Sequence, residues 1–284
     1  MKFTKRFFFI LIISALLLTC LFFVNEWLNS RVFLTEYSFS HPEIPKSFHN
    51  YKILVISDMH EADFVAQISR HIKICKPDIV VVTGDMAQLP DTSVEKTCRI
   101  KESIGDIPMY AVSGNHDTQG GEYSLIHKTL KNAGIQMLDD TSVCIEKGGE
   151  SILLTGIKDP VEDNVSDEKI EKIHRKIKNN HPNGPCFSVL LFHRADLYPK
   201  IRTFGADLIL SGHMHGGIAR IPFVGGIVGK GNDKSRFPVY DSGVFHSESD
   251  ASMIVSRGCD KNKAKKRYLN PPEVLLVTLE STQK

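Results

Sequence analysis

Apolar and polar positions alternate along this chain in three distinct regimes. Phe7–Val24 (FFFILIISALLLTCLFFV) is 18 residues without a charge. At about 1.5 Å rise per residue it would span roughly 27 Å as a helix, close to a bilayer's hydrocarbon thickness. It has no polar face, which disfavours a buried core helix. Residues 31–50 carry Pro42 and Pro45 and show no sustained period, so they are expected to form a stalk or linker after an anchor at 1–30. From Tyr51 a regular order begins and continues to residue 284, the expected folded domain. Short β-branched runs predict strands at Lys52–Ser57, Asp78–Thr83, Met109–Ser113, Ile152–Thr155, Ser188–Phe192 and Asp207–Ser211. Between them, Phe64, Ile68, Ile72 and Cys75 recur at helical spacing, as do Tyr123, Ile126, Leu130 and Ala133. Val94–Ile104 reads as a further helix, and Ile170, Ile173 and Ile177 mark a charged surface helix. Strands alternating with helices predict an α/β fold. Past His215 the pattern changes to strands with little helix (Ile218–Ile221, Met253–Ser256, Val274–Leu279), which predicts a second, more antiparallel sheet packed on the first.

Charge adds topology. Lys2, Lys5 and Arg6 precede the apolar run, so an anchor would leave the N-terminus in the cytoplasm and the folded domain outside the cell membrane. A cleaved signal peptide is a second reading, although its apolar region is usually shorter and ends in small residues, where this run ends Val24-Asn25-Glu26-Trp27. A lipoprotein is a third, because Leu17–Cys20 loosely resembles a lipobox. The net charge of +2 lacks the basic excess of a dedicated nucleic-acid binder, and no nucleic-acid partner is expected. Six cysteines form no C-x-x-C pair and leave an odd number outside the apolar run, so no disulfide framework is expected.

The candidate chemistry falls at the carboxyl ends of five predicted strands. These end in Asp58-Met59-His60, Gly84-Asp85, Gly114-Asn115-His116-Asp117, His193 and Gly212-His213-Met214-His215. Ligands of open α/β sheets bind beyond the carboxyl ends of strands, so five loops from one sheet edge are expected to converge. Asp58, Asp85, Asn115 and four histidines (His60, His193, His213, His215) offer oxygen and imidazole donors suited to divalent Mn, Fe or Zn. Seven donors exceed what one tetrahedral ion needs. Two ions sharing a carboxylate would use them all. Taken singly, each cluster is ordinary turn chemistry; their conjunction in order, each directly after an apolar strand, is what points to a metal centre.

The set D-x-H, G-D, G-N-H-D, H and G-H-x-H resembles the calcineurin-like metallophosphoesterase family over Tyr51 to about Glu280. The resemblance implies a four-layer α-β-β-α sandwich of two facing mixed sheets. It implies that Asp58, His60 and His215 bind a first metal, that Asp85 bridges, and that Asn115, His193 and His213 complete a second. It makes His116 an acid near the leaving group, with Asp117 orienting it. The implied activity is hydrolysis of a phosphodiester or pyrophosphate by metal-activated hydroxide, with phosphomonoester hydrolysis on the same site as the alternative and a catalytically dead binding module as a reading from another class. Gly212–Gly217, Arg220-Ile221-Pro222, Val255–Gly258 and Asn270–Glu273 further resemble a bacterial membrane-associated phosphodiesterase branch related to UDP-2,3-diacylglucosamine hydrolases, which implies a phosphate-ester substrate that includes lipid-linked ones. Ile218 and Cys259–Arg267 depart from that branch where the cleft is expected. The basic run Lys261, Lys263, Lys265, Lys266 and Arg267 is either a solvated loop or an attraction for anionic groups, and Arg194 and Arg257 are candidates to reach a phosphate oxygen.

Overall fold

The computed structural model describes residues 2–60, 62–162, 164–180, 186–231, 233–261 and 266–283. Helix α1 (Lys2–Asn29) leads into β1 (Phe33–His41), followed by β2 (Tyr51–Ile56), α2 (Val65–Cys75), β3 (Ile79–Val82), α3 (Glu95–Ile104), β4 (Met109–Ala111), α4 (Asn115–Gln119), α5 (Tyr123–Asn132) and β5 (Gln136–Met137). Next come β6 (Thr141–Lys147), β7 (Glu150–Ile157), α6 (Asp167–Asn180), β8 (Ser188–Arg194), α7 (Tyr198–Ile201) and β9 (Leu208–Gly212). The last third holds β10 (Arg220–Ile221), β11 (Gly225–Gly226), β12 (Val228–Lys230), β13 (Asp233–Arg236), β14 (Gly243–Phe245), β15 (Ser252–Val255) and β16 (Glu273–Ser281).

Two six-stranded mixed sheets face each other, in the orders β1-β16-β2-β3-β4-β5 and β14-β15-β9-β8-β7-β6. Alternation along each strand builds three apolar layers. In β2, Ile53 and Val55 face the second sheet, meeting Leu191, Leu208 and Leu210 in one core between the sheets. Leu54 and Ile56 face outward onto Ile68, Ile72 and Ile100 of α2 and α3. On the far side, Leu190 and Phe192 of β8 pack under Ile170, Ile173 and Ile177 of α6. Strands buried on both faces need uninterrupted apolar runs, which is why IVVV and SVLLF were legible as strands. The result is the expected α-β-β-α sandwich.

Two expectations change. The C-terminal strands do not make a separate antiparallel sheet. Strand β15 lies parallel to β9 in the second sheet, and β16 enters the first between β1 and β2. Both are apolar on both faces and almost fully buried, which suits interior positions rather than a half-solvated sheet. Of Ile218–Ile221, Arg220 and Ile221 pair as β10 in a small hairpin with β11, and Ala219 makes a single parallel bridge to Tyr268. Residues 31–50 are likewise no stalk. Strand β1 runs parallel to β16 from Phe33 opposite Glu273 to His41 opposite Ser281, and Ile44 and Phe48 are fully buried.

Lys5–Asn29 of α1 is long and apolar enough to cross a membrane, with mean hydropathy 3.0, and its apolar window is not buried in the protein. Its C-terminal half meets the domain at residues 266–269, where Lys266 pairs with Glu26 at 2.9 Å. Asn25 and Asn29 both donate side-chain N–H groups to the Arg267 carbonyl, at 3.1 and 2.8 Å, and the Leu269 N–H donates to Asn25 Oδ1 at 2.9 Å.

Candidate metal centre

The five clusters meet, but on the edges of two sheets rather than one. Strands β2, β3 and β4 of the first sheet deliver Asp58 and His60, Asp85, and Asn115; β8 and β9 of the second deliver His193, His213 and His215. Five of these seven residues (Asp58, His60, Asp85, His213, His215) hold positive φ between 46° and 73°. That conformation costs a non-glycine residue energy and clusters at functional sites. It turns each chain sharply as it leaves its strand, so that the side chain doubles back over the sheet edge. Two glycines permit the crowding. A Cβ at Gly84, itself at φ 96°, would lie 2.7 Å from His193 Nδ1, and one at Gly212 would overlap the Ser57 hydroxyl.

Donor atoms of Asp58, His60, Asp85 and His215 all lie within 4.8 Å of one another, and so do those of Asp85, His193 and His213. Asp85 is common to both groups. Its Oδ2 is 3.3 Å from His193 Nε2 and 3.7 Å from His60 Nε2, while its Oδ1 accepts the His116 backbone N–H at 2.8 Å. His215 Nε2 stands 3.4 Å from Asp58 Oδ1. The imidazoles are aimed by their other nitrogens. His193 Nδ1 lies 2.7 Å from the Thr83 carbonyl and His60 Nδ1 3.1 Å from the Ala87 carbonyl, so Nδ1–H donates and Nε2 faces the centre. His215 Nδ1 is held by the Asp260 carboxylate at 3.1 Å.

The donor set fits divalent cations on a further ground. Asn115 Oδ1 and His213 Nε2 are buried with no hydrogen-bond partner among the described residues, and such groups are costly unless something unites them. The charge balance agrees. Burial opposes ionisation of Asp58 and Asp85, yet neighbouring histidines (His215 for Asp58, His193 for Asp85) hold both carboxyls below the usual range. Burial likewise opposes charge on His193, but Asp85 and Asp58 lift it to about 10. Burial, with Arg194 and His193 beside it, pushes His213 well below its ordinary value.

His116 and Asp117 open α4. The His116 ring lies edge-on to His60 at 4.7 Å, beside the cleft lined by Gln88, His215, Ile218, Lys230 and Arg267. Burial lowers its pKa to about 4, with Asp85 pulling the other way, so the imidazole is neutral at pH 7. Asp117 is hydrogen-bonded to backbone. Its oxygens accept the Ala87 and Gly114 N–H groups, each at 2.8 Å, pinning the β3 and β4 loops together, and burial with Asp85 nearby raises its pKa to about 7.

The arginines also differ from expectation. Arg194 is fully buried and gripped by both oxygens of Asp196 at 3.0 and 2.9 Å, so it braces β8 rather than reaching out. Arg257 pairs with Glu273. Arg267, read as part of a basic run, is buried against Asp260, to which Nε donates at 2.7 Å. Lys263 and Lys265 lie outside the described residues. Ile218, Asp260 and Arg267 do border the cleft, as the departures at Ile218 and 259–267 anticipated. Sequence reasoning missed Asp260 as the support of His215, and Gln88 and Lys230 as lining. Asp260 comes five residues after β15 rather than directly at a strand end, and stands 45 residues from the histidine it holds, so its signal in the sequence was no more than an acid just before a basic run.

Residues 51–217 match the calcineurin-like phosphoesterase family, and the chain belongs to it. It is a metallophosphoesterase. Among proteins it resembles, an uncharacterised metallophosphoesterase, YkuE of Bacillus subtilis, is 28% identical over 260 residues, covering 87% of this chain and 85% of that protein. The phosphodiesterase YaeI of Escherichia coli is 30% identical over 185 residues, 62% of this chain and 64% of that protein. The UDP-2,3-diacylglucosamine pyrophosphatase LpxG of Chlamydia trachomatis is 22% identical over 298 residues, covering 82% and 86%.

Proposed function

We propose that the chain is a membrane-anchored phosphoesterase with two divalent ions (Mn, Fe or Zn), hydrolysing a phosphodiester or pyrophosphate bond. The observation that carries this reading is the sharing of Asp85 between two donor groups whose members come from two sheets. Asp58, His60 and His215 would hold one ion, Asn115, His193 and His213 the other, and Asp85 would bridge. When bound, such a pair acidifies water and screens the phosphoryl oxygens. The chain's own part is to place the leaving oxygen beside His116. The Leu89 N–H points to His116 Nδ1 at 3.5 Å, so the neutral ring carries its proton on Nε2. At a pKa of about 4 it donates at neutral pH only when an anionic substrate lifts it. Asp117 acts through the backbone by fixing α4.

Anchoring is supported by the apolar length of α1 and by the two asparagines that tie its end to residue 267, contacts that a cleaved segment would forfeit. Lys2, Lys5 and Arg6 then set the N-terminus inside and the domain outside. The test is a panel of nitrophenyl phosphomonoesters, diesters and phosphonates offered to the full chain with Mn, Fe, Zn or Mg. Diesters should be hydrolysed, and Asp85→Ala should lose the activity. Hydrolysis of none, or an Asp85→Ala enzyme as active as the parent, refutes the reading.

A further inference from the structure

The strip Arg267–Asn270 stands between α1 and the metal centre and is fastened on both sides. On the α1 side, Asn25 and Asn29 lie four residues apart, on one face of the helix. Their side-chain amides donate to the same Arg267 carbonyl, and Asn25 Oδ1 accepts the Leu269 N–H. The Asn25 amide thus grips main chain on either side of Tyr268, as a neighbouring strand would. On the other side, Arg267 Nε donates to Asp260 Oδ1 at 2.7 Å, and its Nη2 donates to the Arg257 carbonyl at 2.6 Å. The same Asp260 oxygen lies 3.1 Å from His215 Nδ1. Asn270 Nδ2 donates to the carbonyls of His215 and Ile218, at 2.7 and 3.0 Å. His215 is therefore held at its ring through Asp260 and at its main chain through Asn270, and both holds lead back to one strip. Its Nε2 faces Asp58 Oδ1 at 3.4 Å, within the donor group of Asp58, His60, Asp85 and His215. His193, in the other donor group, is braced instead by the Thr83 carbonyl.

We propose that Asn25 and Asn29 are positioning residues of the metal centre, so that the end of the apolar helix sets the hold on the ion of the His215 group. The inference rests on the two-ion reading and extends it to α1. A ligand imidazole binds a cation well only while its orientation is fixed, and its support works only while it is held in turn. The steps here run amide to carbonyl, guanidinium to carboxylate, carboxylate to imidazole. Asn25, Arg267, Asp260 and His215 are all buried, so these bonds do not compete with bulk water. Without Asn25 and Asn29 the Arg267 carbonyl loses two donors at once, the strip is released on the α1 side, and the guanidinium can withdraw from Asp260. The Lys266–Glu26 pair beside them is exposed, and surface pairs contribute little, so it supplies a control at the same place. The helix is then a part of the centre as well as an anchor. Cutting it from the domain would cost the protein part of its grip on one ion and leave the other.

Two measurements test it on the full chain in phosphatidylcholine nanodiscs. Each compares the parent with Asn25→Ala/Asn29→Ala and with Asn25→Leu/Asn29→Leu, which removes the same hydrogen bonds while keeping side-chain volume and helix propensity. Glu26→Gln is the control and should match the parent in both. The first measurement is Mn titration followed by electron paramagnetic resonance. Coupling between distant sites typically changes affinity about 5–150-fold, so both double variants should bind one of the two ions at least about fivefold more weakly. At low Mn the spectrum of an isolated ion should replace that of a coupled pair, with the other ion's affinity unchanged. No weakening, equal weakening of both ions, or the same loss in Glu26→Gln overturns the proposal and leaves the two-ion reading standing. A parent that binds no Mn refutes that reading, and the second measurement then decides the positioning role alone. Diethyl pyrocarbonate modifies accessible imidazole nitrogens, and mass spectrometry maps the modification residue by residue on the metal-free chain. His215 should react at least about fivefold faster in both double variants, with His193 at the parent's rate. Unchanged His215 reactivity, or equal acceleration at His193, overturns the proposal.

Discussion

Asp260 touches the candidate metal centre through His215. Its carboxylate is buried, lies 3.1 Å from His215 Nδ1 and is itself held by Arg267. Removing the charge frees the imidazole to rotate and lowers its basicity, and such supports typically govern metal affinity about 10–100-fold. Asp260→Asn should therefore weaken Mn binding by about that factor, read by metal titration of the purified protein. It also strands a buried guanidinium, so the thermal melt should fall too, breaking a buried pair costing about 3–5 kcal/mol. Unchanged metal affinity would reduce Asp260 to a purely structural partner of Arg267. His116 makes a different prediction. A nitrophenolate leaves readily without a proton, whereas an alkoxide does not, so His116→Ala should cost alkyl leaving groups at least about tenfold more than nitrophenyl ones. A uniform loss across both would remove the acid assignment.

At the scale of elements, β1 is the piece the chain most needs and the sequence least advertised. It covers β16 along nine residues, from Phe33 to His41. A chain shortened to begin at Tyr51 would bare that edge, together with the pockets of Ile44 and Phe48. It should be aggregation-prone and melt well below a chain beginning at Val32; equal melting and solubility of the two would mean that β1 is dispensable. Its signal was present but weak. Phe33, Tyr37 and Phe39 fall on alternate positions, yet Pro42 and Pro45 close behind made the region look like a linker. The strands that carry the site were legible to within two residues because they are buried on both faces and their ligands follow closely. Sheet membership was not legible. An apolar run says that a strand is interior, not which of two interiors it enters, and the contact that decides it for β8, β9, β15 and β16 is with residues far away in sequence.

The folded domain is two sheets packed face to face, and the candidate metal centre ties them together along one edge. Asp58, His60, Asp85 and Asn115 belong to the first sheet, His193, His213 and His215 to the second. Neither sheet alone holds a full donor set, and each donor group draws on both. Cations bound there would therefore stabilise the sandwich as well as supply chemistry. An ion present at 100 times its dissociation constant adds about 2.7 kcal/mol to the folded state. For a domain of this size each kcal/mol raises Tm by roughly 2–4 °C. Two ions should then raise Tm by at least about 10 °C, measured by calorimetry with and without a chelator. Asp85 is common to both groups, so Asp85→Ala should abolish most of that increment, whereas His60→Ala, confined to one group, should abolish about half. A Tm indifferent to chelation, or an Asp85→Ala protein that responds to metal as strongly as the parent, would mean that the two sheets hold together without the shared centre and that the bridge between them is not Asp85.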